Sequence, residues 1–213
     1  MKTHPMIFNK DMVRALLSGC KTQTRRPVKP QPPSDYEWHG WMIESSNRKH
    51  EGCASWKSKN LETHYAKPPC KPNDLIWVRE TFRLFNRYDE CGCEAPCECP
   101  SHNEPRYRAS HNNCDSKWKP SIHMPQSASR LTLRVLQVRL EQVQDISTED
   151  ACAEGFKLPP AEGQGFAIGA RTNFRHAWQA IYPGSWERNQ WVWVIDFEVI
   201  ESNINQVLKD GFS

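Results

Sequence analysis

The sequence predicts an α+β fold in which a small mixed β-barrel carries short flanking helices and two irregular insertions. Alternating or apolar runs predict strands over residues 75–80, 128–143 and 191–200, because a half-buried strand repeats its side-chain pattern every two residues. Short helical patterns lie between these strands, and no glycine-rich turn follows a strand as it would in a doubly wound sheet. The hydrophobic fraction of 38% and the 16 prolines indicate a modest core with long loops.

The length of 213 residues suits a single domain over residues 1–213, interrupted by insertions at about 28–70 and 86–117. Both insertions are polar and lack a clear hydrophobic period. The first is punctuated by prolines and the second is rich in cysteine. We therefore expect both segments to be irregular.

Composition excludes some classes of function and leaves others open. The net charge of +3, from 28 basic and 25 acidic residues, is too small to demonstrate nucleic-acid binding by itself. No apolar run reaches the roughly 20 residues that span a bilayer, and no apolar leader follows the first residues. We expect a cytoplasmic protein without a membrane partner.

Three short helices are predicted from apolar spacing and from their end signals. They cover residues 9–19, 147–155 and 172–181. Asn9 and Ser147 are candidate N-caps, since their side chains can accept a hydrogen bond from a main-chain N–H of the first turn. A glycine ends each of the first two helices.

The stretch from Gly19 to Arg26, Gly-Cys-Lys-Thr-Gln-Thr-Arg-Arg, follows the first helix. It places an amine, two hydroxyls and two guanidiniums in eight residues. Such a set can bind a polar or anionic ligand, and a lysine beside a threonine can also supply a base and a nucleophile. The alternatives are simple phosphate contacts and a solvated basic turn.

Several segments, in this order, resemble the ASCH family, which has a PUA-like β-barrel. The resemblance extends to longer, phage-associated members of that family and covers roughly residues 5–30, 70–85 and 118–200. The matching segments are Gly19-x-Lys21-x-x-Thr24-x-Arg26, the turn Pro72-Asn73-Asp74 before a strand, Trp77 to Thr81, Ser121 to Pro125, Asp150 to Phe156, the turn Tyr182-Pro183 and the closing run Trp191 to Ile195.

The resemblance implies an activity on RNA or on a modified nucleoside. Some small members of the family are amidohydrolases that remove the acetyl group from 4-acetylcytidine, and another is reported as a ribonuclease. Their working groups correspond to Lys21, Thr24 and Glu154, with Glu149 as an alternative for the carboxylate. The hypothesis is that Thr24 attacks, Lys21 takes its proton and Glu154 is the acid and base, with no cofactor for catalysis.

Two other functions stay open at this point. One is a non-catalytic nucleic-acid-binding module whose insertions extend the contact surface. The other is a ribonuclease, which is less attractive because the sequence lacks paired catalytic carboxylates or paired histidines. Tryptophans in the irregular segments could stack on bases or cover a small core; they are Trp38, Trp41, Trp56 and Trp118.

Six side chains are candidates for contacts with a nucleic acid or nucleoside. Cations contact phosphates, an exposed indole stacks on a base, and a histidine between apolar residues is more often a structural group. Neighbours on a strand point to opposite faces, so one of Arg79 and Glu80 should face the core and need a partner. The candidates are Arg25, Arg26, Arg79, Glu80, Trp118 and His123.

The second insertion contains two Cys-x-Cys pairs separated by three residues: Cys91, Cys93, Cys97 and Cys99. Four thiolates around a turn could form a tetrahedral, structural zinc site. The spacing is tighter than that of the usual Cys-x-x-Cys knuckle, and His102, His111, Cys114 and Cys70 are alternative ligands. The other interpretation is a polar insertion whose thiols bind nothing.

Overall fold

The computed structural model describes residues 1–93, 97–111, 117–156 and 169–211. The strands within these ranges are β1 Thr3–Ile7, β2 Gln23–Pro27, β3 Glu37–Trp41, β4 Ala54–Lys57, β5 Thr63–Ala66, β6 Leu75–Arg79, β7 Phe82–Leu84, β8 Pro105–Tyr107, β9 Thr132–Gln142 and β10 Trp191–Ile200. The α-helices are α1 Lys10–Leu17, α2 Arg87–Glu90, α3 Thr148–Ala153, α4 Ala170–Ile181 and α5 Ile204–Lys209. No helix in the described ranges is long and apolar enough to cross a membrane.

The chain divides into two compact units, and each is assembled from separate stretches of sequence. The first unit comprises Met1–Gly19, Asp74–Arg134 and Glu198–Ser213. The second comprises Cys20–Asn73 and Val135–Phe197. These boundaries do not coincide with the two expected insertions, and the single domain over residues 1–213 stays a prediction.

In the first unit, β1 pairs in parallel with β6, and β6 pairs antiparallel with the start of β9. Strands β7 and β8 form a separate antiparallel pair. Leu75 on β6 packs with Ile204 and Val207 of α5, and all three side chains are buried. This apolar contact fixes α5 against the sheet of the unit.

In the second unit, β10 pairs antiparallel with β2, with Thr24 opposite Ile195. Helices α3 and α4 pack around an apolar cluster to which β10 also contributes. That cluster contains Val143, Ile146, Ala151, Ala170, Phe174, Trp178, Trp186, Val192 and Val194. It places the end of α3 next to the start of β2, where the main-chain N–H of Thr22 donates to the carbonyl of Ala153 at 2.8 Å.

The segment 28–70 was expected to be irregular, and the structure shows that it is not. It contains a three-stranded antiparallel sheet, β3-β4-β5. Trp56 on β4 is completely buried in a second apolar cluster with Val28 and Trp193. The expectation was wrong because the strands are only 4–5 residues long and lie between proline-rich turns, which hide a local period.

The α+β class is confirmed. The described strands form several sheets, each with two edge strands, and none of them closes into a barrel. The PUA-like barrel therefore remains a prediction that rests on the resemblance.

Candidate functional site

Lys21 and Glu154 form a buried ion pair in the second unit. Lys21 is 0% exposed and Glu154 is 3% exposed. The ammonium Nζ donates to Glu154 Oε2 at 2.5 Å and to the main-chain oxygens of Glu154 at 2.9 Å and Gln23 at 2.8 Å. All three hydrogens of the ammonium group therefore have an acceptor.

Burial lowers the pKa of Lys21 below its ordinary value. The carboxylate of Glu154 opposes this shift, whereas the charges of Arg26 and Arg25 act in the same direction as burial. A lysine with a lowered pKa gives up its proton more easily, and the nearest acceptor is the carboxylate at 2.5 Å. The pair can therefore take up and return a proton.

Arg25 extends this pair into a larger group of charges. Its side chain is 0% exposed, and Nη2 lies 2.9 Å from both Glu141 Oε2 and Asp150 Oδ2. Its Nη1 donates to Gln23 Oε1 and lies 3.6 Å from Glu154 Oε1. Both Nη atoms are therefore occupied by contacts within the protein and are not available to bind an external phosphate.

Arg139 on β9 completes the group. It donates to Glu141 and Asp196 and lies 3.1 Å from Asp150 Oδ2. Burial alone would lower the pKa of Arg139, but its contacts with Glu141 and Asp196 raise it. Gln23 Nε2 bridges Asp150 at 3.0 Å and Asp196 at 2.7 Å.

We call this group the polar cluster; its members are Lys21, Gln23, Arg25, Arg139, Glu141, Asp150, Glu154 and Asp196. Three cations face four carboxylates. The charge of the cluster therefore favours a neutral or cationic ligand over a phosphate.

Two buried polar atoms of the cluster have no hydrogen-bond partner among the described residues. They are Oε1 of Glu154 and Nε of Arg25. Such atoms are costly in a folded protein unless a ligand or water satisfies them. One is an acceptor and the other is a donor, so the cluster offers both halves of the hydrogen bonding that an amide group needs.

Thr24 lies on the opposite face of β2 from Gln23 and Arg25. Arg25 Nη1 donates to Gln23 Oε1, so these two side chains share a face, and Lys21, which precedes β2, contacts Glu154 beside Arg25. Since side chains alternate along a strand, Thr24 and Arg26 point to the other face. The structure brings Lys21 and Glu154 together, but it does not bring the Thr24 hydroxyl to them. Thr24 is buried and Arg26 is half-buried.

Comparisons with protein families, with curated proteins and with solved structures give no match.

The other candidates for ligand contacts lie in the first unit. Glu80 is buried and receives a two-pronged contact from Arg130, at 2.9 and 3.0 Å. Burial raises the pKa of Glu80, and Arg130 opposes that shift. Arg79 donates to the main-chain oxygens of Ser121 and Ile122. The expectation that one member of the 79–80 pair faces the core and needs a partner is met by Glu80.

Trp118 and His123 have different surroundings. Trp118 is half-buried, with the guanidiniums of Arg83 and Arg108 at 5.6 and 5.5 Å from its ring centre. These cations cover the indole through cation–π contacts. His123 is exposed, so its side chain is accessible and not part of a core.

Sequence reasoning missed four charged members of the polar cluster: Arg139, Glu141, Asp150 and Asp196. A signal for three of them was present. Asp196 is a carboxylate inside the apolar run 191–200, and Arg139 and Glu141 occupy alternate positions of a half-buried strand. Charges at such positions need buried partners, which predicts a network but not its members.

The four cysteines of the second insertion lie close together in the first unit, and we call them the cysteine cluster. The sulfurs of Cys91 and Cys97 are 3.6 Å apart, as are those of Cys93 and Cys99, and no disulfide joins them. Hydrogen bonds from Cys93 and Cys97 lower the pKa of Cys91 to about 7, while those with Cys93 and Cys91 raise that of Cys99 to about 12. Three of the sulfurs, those of Cys91, Cys93 and Cys99, lie close enough together to hold a metal ion.

A group of tryptophans forms a partly exposed surface in the second unit. Trp38 and Trp41 on β3 are 39% and 42% exposed, although Trp56 beneath them is 0% exposed. Trp38 packs edge-on against Trp56 at 5.3 Å and tilted against Trp191 at 5.9 Å. The tryptophans thus both cover a core, as Trp56 does, and present indole surface to solvent.

Proposed function

We propose that the protein hydrolyses the amide bond of an acylated cytidine such as 4-acetylcytidine, as a free nucleoside or within RNA. One observation carries the proposal. Glu154 is a buried carboxylate that accepts a hydrogen bond from the Lys21 ammonium on one oxygen, while its other oxygen has no hydrogen-bond partner among the described residues. An amide N–H fits that oxygen, and the amide carbonyl fits the donor Nε of Arg25.

The chemistry needs a nucleophile and a proton carrier. An oxygen nucleophile attacks the acyl carbon, its proton passes to the Glu154–Lys21 pair, and the same pair protonates the cytidine nitrogen as the C–N bond breaks. With water as the nucleophile, the products are cytidine and acetate. We assign the nucleophile to water because the Thr24 hydroxyl lies on the opposite face of β2 from Gln23 and Arg25.

No metal takes part in this proposed reaction. A zinc ion at the cysteine cluster would be structural, because four protein thiolates leave no coordination position for water or substrate.

The test is to incubate the protein with acetylated and unmodified nucleosides and RNA and to detect the products by mass spectrometry. We expect the wild-type protein to release acetate from 4-acetylcytidine. Glu154→Gln keeps the shape of the side chain but cannot carry the proton, so its rate should fall at least about 100-fold. Glu149→Gln changes an exposed carboxylate of α3, the helix that Glu154 caps, and should leave the rate unchanged.

Wild-type protein that is inactive on every acylated substrate would overturn the proposal. An equal loss of rate in both variants would show that Glu154 does not have the proposed catalytic role. The thermal unfolding of each variant is measured alongside, so that a loss of fold is distinguished from a loss of chemistry.

The alternative is nucleic-acid binding without catalysis, and the tryptophan surface favours it. Stacking of a base on an exposed indole contributes about 1–3 kcal/mol. Trp38 borders two open cavities, of about 500 and 170 Å³, and the smaller one is also lined by Lys57 and Lys59. A single strand could place a base against Trp38 and its phosphates near these lysines.

A further inference from the structure

We propose that the cysteine cluster binds one zinc ion through all four thiolates, and that this ion holds the chain between β7 and β8 in its fold. The sulfur positions carry the first step. A tetrahedral site with zinc–sulfur bonds of about 2.3 Å has sulfurs about 3.8 Å apart. The sulfurs of Cys91 and Cys97 are 3.6 Å apart, as are those of Cys93 and Cys99, and the sulfurs of Cys91, Cys93 and Cys99 all lie within 4.8 Å of one another.

The described part of this segment has no apolar core of its own. None of the described residues from Asn86 to Glu104 is buried. Fixing the backbone of one residue costs about 1–2 kcal/mol, and burial of apolar surface cannot offset that cost here. A bound metal supplies the missing stabilisation, as in small zinc domains.

The base of the segment is already held by main-chain hydrogen bonds. Phe85 N donates to Glu104 O at 2.9 Å, and Asn103 N donates to Phe85 O at 2.8 Å. Beyond them β7 and β8 pair as antiparallel strands. The zinc ion holds the segment at a second point, because it joins the end of α2 to the chain that leads to β8.

The charges around the sulfurs fit a thiolate site. Four thiolates with one Zn²⁺ carry two net negative charges, which a neighbouring donor stabilises. Arg87 Nη2 lies 3.5 Å from Cys97 Sγ and donates to it. Hydrogen bonds from groups outside the ligand set are a usual feature of metal centres and strengthen binding of the ion.

The test uses the full chain, purified under reducing conditions, with zinc and cobalt ions alone as probes. We expect about one zinc per chain by elemental analysis. After removal of the metal, Co²⁺ should restore the visible bands of a tetrahedral thiolate site, and Zn²⁺ should displace them. Cys93→Ser and Cys99→Ser should each lower the affinity by more than about 10-fold, and Arg87→Ala by about 10-fold.

The control is Cys20→Ser, which changes an exposed thiol outside the cluster and should keep wild-type affinity. Limited proteolysis checks the role of the ion: cleavage between residues 86 and 104 should rise about 10-fold without metal and fall again when zinc is restored. Less than about 0.1 zinc per chain together with no cobalt spectrum would overturn the site. Unchanged cleavage without metal would overturn its structural role. Both readouts are independent of the proposed hydrolysis.

Discussion

At the scale of single residues, Asp150 connects the polar cluster. Its carboxylate accepts hydrogen bonds from Gln23, Arg25 and Arg139. Burial alone would raise the pKa of Asp150, but the hydrogen bond from Gln23 and the charges of Arg25 and Arg139 outweigh burial and lower it. A carboxylate whose pKa falls on folding stabilises the protein above the pKa of its unfolded form.

Replacement of Asp150 by Asn should therefore destabilise the protein in a pH-dependent way. At neutral pH we expect a loss of about 1.5–3 kcal/mol, the usual contribution of a hydrogen bond to a charged group. The difference from wild type should shrink as the pH falls below about 3.9, the ordinary pKa of an Asp, and through the lower folded value. Urea unfolding midpoints at several pH values measure it. Asp145→Asn, at an exposed position nearby, is the control; a difference that does not change with pH would contradict the assignment.

The residues of the candidate site were predictable only in part. Lys21 and Glu154 came from a resemblance of short motifs, and the structure brings them together. The motif could not show that Thr24 faces the other side of β2, because no strand was predicted over these residues. Nor could it supply Asp196, which lies 173 positions after its partner Gln23. Such pairings depend on tertiary structure, which no local pattern contains.

At the scale of elements, helices with chemical end signals and long strands were predictable. The Asn9 side chain accepts from Met12 N at the start of α1, and that of Ser147 accepts from Asp150 N at the start of α3. Strand β10 has the predicted bounds. The short strands β3 to β5 were missed because their stability comes from pairing and from burial of Trp56, rather than from intrinsic preference.

The end of α1 provides a prediction about an element. Gly19 has a φ of +69°, and a Cβ built there would meet nothing within 4 Å. The cost of Gly19→Ala is therefore one of backbone conformation, about 1 kcal/mol. Gly19→Asn should cost less, because asparagine tolerates the left-handed region. Thermal unfolding of both variants checks this order, and a stability of Ala equal to or above that of Asn would contradict it.

At the scale of the whole molecule, each unit is built from stretches that are far apart in sequence. In the first unit, Thr3 of β1 lies opposite Leu75 of β6. In the second, Gln23 of β2 lies opposite Asp196 of β10. Local sequence patterns group residues that are neighbours along the chain. The ordered sheet β3-β4-β5 was therefore predicted to be part of an irregular insertion.

The two candidate functions differ in how the whole molecule should respond to salt. A net charge of +3 gives little long-range attraction, so turnover of a neutral nucleoside should change by less than about twofold between low and moderate salt. RNA binding through several phosphates should instead weaken steeply, with a slope of about −0.7 per phosphate contact. Fluorescence anisotropy of labelled single-stranded RNA, beside nucleoside turnover at the same salt concentrations, measures both.

The variant Trp38→Ala tests whether RNA binds to the tryptophan surface. If bases stack on the tryptophan surface, the variant should bind single-stranded RNA at least about fivefold more weakly, since one stacked base contributes about 1–3 kcal/mol. Ile43→Ala removes a side chain that is 84% exposed in the same unit and should leave RNA binding unchanged. Nucleoside turnover should be the same in both variants, because the polar cluster contains neither residue. RNA binding that is insensitive to both salt and Trp38→Ala would exclude the surface as a nucleic-acid contact and leave the polar cluster as the candidate for ligand recognition.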